Sequence, residues 1–395
     1  MSPLIKRYPP TAAYLSPADA HAAWRSSMPV EECLAEIGAY LGIRRLFAFN
    51  TGRTALYAAL TSALAPRSKV ILPGYTCYTV AAAVVKAGMT PILSDNNHMD
   101  LGYDLEELRR TITAHPDCKA IVVCHLFGIA QDLEAIRKVV GPEILIIDDA
   151  AQAFGIKAGG KWLGTSGHLG FYSFGRGKNL SLVGGGLLVT NASFLEERLE
   201  EAVANEFPTP PSSFTELLRV TAYNFAVRPS IFGLISRLPG LEIGKSEFNP
   251  QFDAAGLSCF KIRLLHRIYK QAETLNAERG EVSRRYLACL DGNSMVMIPK
   301  SSLNREPGNL RFVVLVGDQG RRTKILIESK RRGWGLTGMY PSTLAGVIPP
   351  NGAHEFRLKG SEHIARSIIT LPTHRQILKA DTEGKLIERI AELFR

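Results

Sequence analysis

The chain has 395 residues, 46% hydrophobic and 21% charged, a balance that suits a globular enzyme and excludes a fibrous or disordered chain. One core commonly stops growing at about 250 to 300 residues, so two lobes are expected. The net charge of +10 admits nucleic acid, a membrane surface or an anionic small molecule, while six scattered cysteines, with no CxxC pair and no zinc-finger spacing, read as reduced thiols and predict no metal site.

The opening MSPLIKRYPPTAAYLS lacks the apolar core of a secretory signal, and no run of about 18 apolar residues follows, which predicts a cytoplasmic protein without membrane contact. From about residue 45 to 190, short β-branched runs alternate with amphipathic stretches, the pattern of a mostly parallel sheet with crossover helices. Strands are expected at Leu46 to Phe49, Val70 to Leu72, Pro91 to Ser94, Ala120 to Cys124, Ile144 to Asp148, Leu169 to Ser173 and Leu187 to Thr190. Helices are expected at Arg53 to Leu64, Tyr78 to Lys86, Leu105 to Ile112 and Leu133 to Val140.

FPTPPSSF, near residue 207, is a proline-rich break, and the stretch after it is apolar and basic, interrupted by Arg228, Pro229, Arg237 and Pro239. It reads as an interface segment. A helical stretch from Ser258 to Leu290, a strand from Leu310 to Val316, a helix near Lys324 to Arg332 and a last helix from Ala380 to Phe394 suit a smaller α/β lobe. The densest basic cluster, Arg321, Arg322, Lys324, Lys330, Arg331 and Arg332, has the spacing of a helix's outer face, with Ile325, Leu326 and Ile327 inward, so no nucleic-acid patch is read there.

In open α/β sheets ligands bind beyond the carboxyl ends of the strands. Three places there carry chemistry. ILIIDDAAQAFG puts Asp148 and Asp149 at a strand end with Gln152 one turn on; a lone aspartate there also serves as a helix cap. In GFYSFGRGKNLSLVGGG, clustered glycines let backbone N–H groups approach an anion, Ser173 adds a hydroxyl, and the tight loop strips water from Lys178, favouring the neutral amine that forms a Schiff base. A P-loop is excluded, since Tyr172 and Asn179 stand where it needs Gly and Ser or Thr. NTGRTALYAAL places Gly52, Arg53 and Thr54 at a helix start, a seat for a phosphate.

Taken in this order, and with HLFG (His125 to Gly128) and ITLPTH, these motifs resemble the DegT/DnrJ/EryC1/StrS family of aminotransferases that depend on pyridoxal 5'-phosphate (PLP). The resemblance runs from about residue 30 to 395 and is strongest from Asn50 to Asn191. It implies fold type I, aspartate aminotransferase-like: an N-terminal arm over 1–30, a PLP-binding large domain with a mostly parallel sheet over 31–245, and a small C-terminal α/β domain over 246–395. It also implies that Lys178 holds PLP as a Schiff base and shuttles the proton, that Asp149 pairs with the pyridine nitrogen, and that Gln152 faces the ring hydroxyl. Ser173 and the backbone of Gly52, Arg53 and Thr54 would take the phosphate. The activity implied is transfer of an amino group, from glutamate, to a keto-sugar linked to a nucleotide, by a homodimer.

Three positions depart from the family pattern. Cys77 stands where an aromatic residue stacks on the cofactor, leaving stacking to Tyr75 or Tyr78, or to no residue. FDAAGLS, over Asp253 to Gly256, lacks the Asn and Arg that a neighbouring subunit lends to the phosphate. The family's HYP-like triplet is Met339, Tyr340, Pro341, which puts Tyr340 on the substrate side. His125 reads as a satisfied structural histidine or as a substrate contact, and Arg53, Arg228 and Arg263 as possible anion partners. Two rival readings remain: a deoxysugar dehydratase, whose relatives replace the lysine by histidine, and a noncatalytic regulator or membrane-surface protein using the apolar, basic 215 to 240 stretch.

Overall fold

The computed structural model describes residues 6–237, 247–303, 309–348 and 358–395. Seven strands, β1 (Arg45–Phe49), β2 (Lys69–Pro73), β3 (Thr90–Ser94), β4 (Cys118–Cys124), β5 (Leu145–Asp149), β6 (Leu169–Ser173) and β7 (Gly186–Thr190), form one sheet in the order β1-β7-β6-β5-β4-β2-β3. Only β7 runs against its neighbours. Strands such as Cys118–Cys124, with every residue but Lys119 buried, have helices over both faces, which is why they read as continuous apolar runs.

Ahead of the sheet come α1 (Pro17–Arg25) and α2 (Val30–Leu41); within it α3 (Gly52–Ala63), α4 (Tyr78–Lys86), α5 (Leu105–Ala114) and α6 (Leu133–Val140) link the strands. Side-chain caps start several of them: Thr51 Oγ1 accepts the Thr54 N–H at 3.0 Å, and Asp132 does the same for Ala135 in α6. After β7 follow α7 (Ser193–Glu206), α8 (Phe214–Ala226) and α9 (Pro229–Ile235). The expected Ser258 to Leu290 helix is two helices, α10 (Cys259–Ile268) and α11 (Gln271–Leu290).

One apolar cluster joins Phe260 and Leu264 of α10, and Ala272 and Leu275 of α11, to Phe154 and Tyr172 of the large lobe. Farther along α11, Val282, Tyr286 and Leu290 turn instead to Phe312, Val314 and Phe394. The two cores therefore change over inside one helix. The boundary expected at 245/246, and Pro239, lie outside the described residues. The small lobe pairs β8 (Arg311–Leu315) antiparallel with β9 (Ile368–Pro372), flanked by α12 (Gln319–Arg332) and α13 (Lys359–Ser367). The expected terminal helix from Ala380 is broken: α14 (Arg375–Ala380) ends before Gly384, whose φ of 76° interrupts the path to α15 (Lys385–Ala391). On α12, Ile325 is buried, but Ile327 is 63% exposed and Arg322 turns inward to the Ile368 carbonyl, so the expected inner and outer faces are partly exchanged.

The expected N-terminal arm has neither helix nor strand from Arg7 to Leu15 and is helical from Pro17. Its backbone is tied to both lobes. The Tyr8 N–H donates to the Gly333 carbonyl at 2.7 Å, His374 Nε2 donates to the Pro9 carbonyl at 2.8 Å, and the Leu15 N–H donates to Asn224 Oδ1 at 2.8 Å.

Candidate active site

β5 leaves the sheet at its carboxyl edge with two aspartates on opposite faces, as the alternation of a strand requires. Asp148 is fully buried and committed. Its Oδ1 lies 2.7 Å from His125 Nε2, and its Oδ2 accepts the Gly164 and Ser166 N–H groups, each at 3.1 Å. His125 Nδ1 accepts the Gln131 N–H at 3.0 Å, which leaves the ring proton on Nε2 for Asp148. Both ring nitrogens of His125 are thus engaged, and the residue is 1% exposed, which fits its reading as a structural histidine.

Asp149 faces the other way. Its Oδ1 accepts the Ala151 N–H at 2.9 Å. Burial raises its pKa, against the Ala151 hydrogen bond and then the positive charge of Lys178, which lower it. A carboxylate held in this condition favours a cationic group placed against it.

The loop from Ser173 to Gly186 brings Lys178 to this side. Phe174 folds it back, its N–H donating to the Gly185 carbonyl at 2.8 Å and its carbonyl accepting the Leu182 N–H at 2.8 Å. Gly177, at φ 79°, turns the chain into Lys178 in a region a side chain resists. The same loop meets the start of α3. A Cβ on Gly52 would stand 2.7 Å from Ser173 Cβ and 3.1 Å from the Tyr172 carbonyl, so the glycine leaves a cradle between the helix start and the serine hydroxyl. The Thr54 N–H, expected in that cradle, is taken by Thr51 Oγ1, and the Thr54 hydroxyl donates to Asn50 Oδ1 at 2.6 Å. Among the three amides expected there, those of Gly52 and Arg53 remain to meet an anion at the helix's positive end.

Gln152 carries its side chain to the small lobe: Oε1 accepts the Phe127 N–H at 2.9 Å, and Nε2 donates to the Tyr340 hydroxyl at 3.3 Å. Tyr340 packs its ring 5.7 Å from that of Tyr75 and 5.5 Å from that of Tyr78, while Tyr78 holds the following loop through Ser342. Cys77, half-buried at the start of α4, lies between Thr79 Oγ1, at 3.0 Å, and the Tyr340 hydroxyl. Arg53 stacks on Phe252 at 4.2 Å and donates to the Asn249 carbonyl. The segment Asp253 to Gly256 runs beside the α3 turn: the Asn50 N–H donates to the Ala255 carbonyl, and Asn50 Nδ2 to that of Asp253. Arg228 lies over the Phe225 ring and Arg263 donates to the Met28 carbonyl.

One cation escapes a reading of the sequence. Arg311 stands at the start of β8, with Nη1 on the hydroxyls of Thr337 at 2.9 Å and Thr370 at 3.1 Å. Burial lowers its pKa to about 10, opposed by Tyr340 and Tyr75. It is far from Tyr75 in the chain, and only the packing of the small lobe brings it to Tyr75 and Tyr340, so no local motif marks it.

The site therefore offers a buried carboxylate, a loop lysine whose charge it feels, and a glycine-lined seat with a serine hydroxyl, the donor set that a phosphorylated pyridine aldehyde requires. Residues 13–208 match the DegT/DnrJ/EryC1/StrS aminotransferase family. Over 93% of the chain and 89% of the relative, it is 26% identical to a protein of Geobacillus stearothermophilus named pleiotropic regulatory protein. Over 86% of the chain and 80% of the relative, it is 27% identical to the dTDP-3-amino-3,4,6-trideoxy-alpha-D-glucose transaminase of Streptomyces venezuelae. The fold is shared with a DegT DnrJ EryC1 StrS aminotransferase from Brucella abortus, at 22% identity and a TM-score of 0.72 over 96% of this chain and 93% of that one. Through residues 13–208, which hold every site residue named above on the large-lobe sheet edge, the chain belongs to the DegT/DnrJ/EryC1/StrS aminotransferase family, a PLP-dependent aminotransferase of fold type I.

Proposed function

We propose that the chain transfers an amino group from an acidic amino donor to a keto-sugar, with Lys178 as the cofactor's anchor and proton carrier. The observation that carries this reading is the meeting of Asp149, Lys178 and the Gly52–Ser173 cradle at one sheet edge. When bound, PLP supplies an electron sink that lets the donor's Cα proton leave. Asp149 would hold the ring nitrogen in its protonated form. Ser173 and the Gly52 and Arg53 amides would hold the phosphate, and Gln152, already oriented by the Phe127 amide, would address the ring hydroxyl. The Lys178 amine would carry the proton that leaves the donor's Cα.

Arg311, which faces Tyr75 and Tyr340 with neutral hydroxyls as its partners, suits a donor carboxylate, and this supports an acid such as glutamate. The name of the Streptomyces relative supports a nucleotide-linked sugar as acceptor. Six cysteines, none in a disulfide among the described residues, support a reducing, cytosolic setting. Among the described residues no helix is long and apolar enough to cross a membrane. Exposed Phe214, Leu218, Phe225 and Leu234 on α8 and α9 support burial of that face in a homodimer.

The regulatory reading is favoured by one observation, the name of the Geobacillus relative; Lys178 itself counts against the dehydratase. One experiment separates all three. The enzyme is loaded with the aminated form of the cofactor, and keto-sugars are screened for one that returns the aldehyde form and leaves as an amino sugar. A reducing turnover that yields a deoxysugar points to the dehydratase, and no turnover with any acceptor points to the regulator.

A further inference from the structure

Beneath the loop that carries Lys178 runs a chain of buried polar side chains that transamination does not itself use. Asn179, 1% exposed, donates from Nδ2 to Asn276 Oδ1 at 3.0 Å. That oxygen also accepts from Arg279 Nη1 at 2.9 Å, while Asn276 Nδ2 donates to the Phe154 carbonyl at 2.9 Å. The two donors on Oδ1 and the acceptor opposite Nδ2 fix which end of the amide faces Asn179. Phe154 lies on the turn that follows Asp149 and Gln152, so Asn276 joins the segment bearing the acid to the loop bearing the lysine.

The packing around this bridge is close. A Cβ on Gly155 would stand 2.7 Å from Ala272 Cβ and 3.1 Å from Asn276 Nδ2, so α11 lies directly against the turn. On the other side of Lys178, a Cβ on Gly177 would run into Thr11 Oγ1 of the arm. The Tyr223 hydroxyl takes hydrogen bonds from Ser181 and from the backbone of Gly177 and Ala13. Arg279 completes the enclosure, with Nη2 on the Ala12 carbonyl at 3.4 Å. It is 2% exposed, and burial lowers its pKa to about 10. A buried guanidinium whose hydrogen bonds go to neutral oxygens, with the Tyr223 and Glu278 side chains only partly offsetting its burial, is a poor source of stability, and a hydrocarbon of similar volume would fill the space at less cost. What the guanidinium does supply is direction: it fixes the Asn276 carbonyl toward the loop.

We propose that Asn276 and Arg279 are positioning residues for Lys178, clamping Asn179 from beneath and tying the lysine loop to the Asp149–Gln152 segment, while Thr11 and Tyr223 close on Gly177. The proposal rests on Lys178 being the cofactor's anchor. A displacement of about 1 Å at a reacting group can cost roughly 100-fold in rate, so the clamp acts on the chemical step and not on substrate affinity.

The test compares wild type with Asn276→Ala and, independently, Arg279→Met, each loaded with PLP. Three readings are taken: the pH midpoint of the bound cofactor's visible band, kcat per loaded site, and KM for the donor. Both variants are expected to bind PLP, to lose roughly 10- to 100-fold in kcat and to hold KM within about twofold. The band midpoint is expected to move by about half a pH unit or more, since the amine's surroundings change. A merely structural role would lower the unfolding temperature and leave band midpoint and kcat per loaded site at wild-type values, which overturns the proposal; should Asn276→Ala fail to fold, Arg279→Met decides by the same readings. A wild-type protein without any cofactor band fails the earlier assignment of Lys178 instead, before a variant is compared.

Discussion

Two adjacent aspartates at the end of β5 have opposite surroundings. Asp148 is surrounded by donors: an imidazole N–H and two backbone amides satisfy it, and it pins the loop that follows. Asp149 takes one backbone amide, that of Ala151, and the Cys124 thiol, and burial raises its pKa. The side facing Asp148 is finished by the protein itself, whereas the side facing Asp149 is the one where the proposed function places the cofactor. The difference teaches how a sheet edge divides labour by alternation alone, with stability on one face and chemistry on the other.

The comparison breaks most readily at Asp149. On the proposed function Asp149→Asn removes the partner of the ring nitrogen and should lower kcat by about 1000-fold, read in a coupled transamination assay with the cofactor still bound. Asp148→Asn should do the reverse. With a carboxylate oxygen replaced by an amide donor facing the Gly164 and Ser166 amides, stability should fall by about 2 to 3 kcal/mol in urea denaturation, with kcat per folded molecule within a few-fold of wild type. Gly52→Ala sharpens the cradle. The added Cβ meets the Ser173 Cβ and the Tyr172 carbonyl, neither of which is the end of a flexible chain, and PLP affinity should drop about tenfold, some 1.4 kcal/mol, in a fluorescence titration.

The smallest effect has the most telling sign. Because burial raises the folded pKa of Asp149 above its unfolded value, its contribution to the stability of the cofactor-free protein is fully present below the unfolded value near 3.8 and is lost as pH rises through the folded one. Once ionised, the group therefore opposes folding. Asp149→Asn should stabilise the cofactor-free protein by about 1 kcal/mol at pH 7.5 and remove that pH dependence, while Asp148→Asn destabilises it. Equal signs for the two variants would dissolve the distinction between the faces.

Much of the sheet is legible in the sequence. The seven strands lie within two residues of their expected bounds because β-branched runs buried on both faces have few alternatives. Asp149, Gln152, Ser173 and Lys178 stand where the sequence places them, at or just after the ends of two of those strands. Other features depend on distance in the chain. Tyr340 reaches Gln152 across 188 residues, and Arg311 arrives with the small lobe; no local spacing encodes either. The Thr54 amide was misplaced because its role depends on Thr51, whose capping hydroxyl competes for it. The change of core inside α11 escaped notice because a helix shows the same amphipathic period whichever lobe it faces.

The central claim is that Lys178 is the covalent anchor. Loading the wild-type enzyme with PLP, reducing it with borohydride and sequencing the peptides by mass spectrometry tests it most directly. The account predicts the phosphopyridoxyl group on the peptide containing Ser173 to Leu182, at Lys178, and its absence from Lys178→Ala. Label on a different lysine, such as Lys261, or no label on a protein that binds PLP, would contradict it.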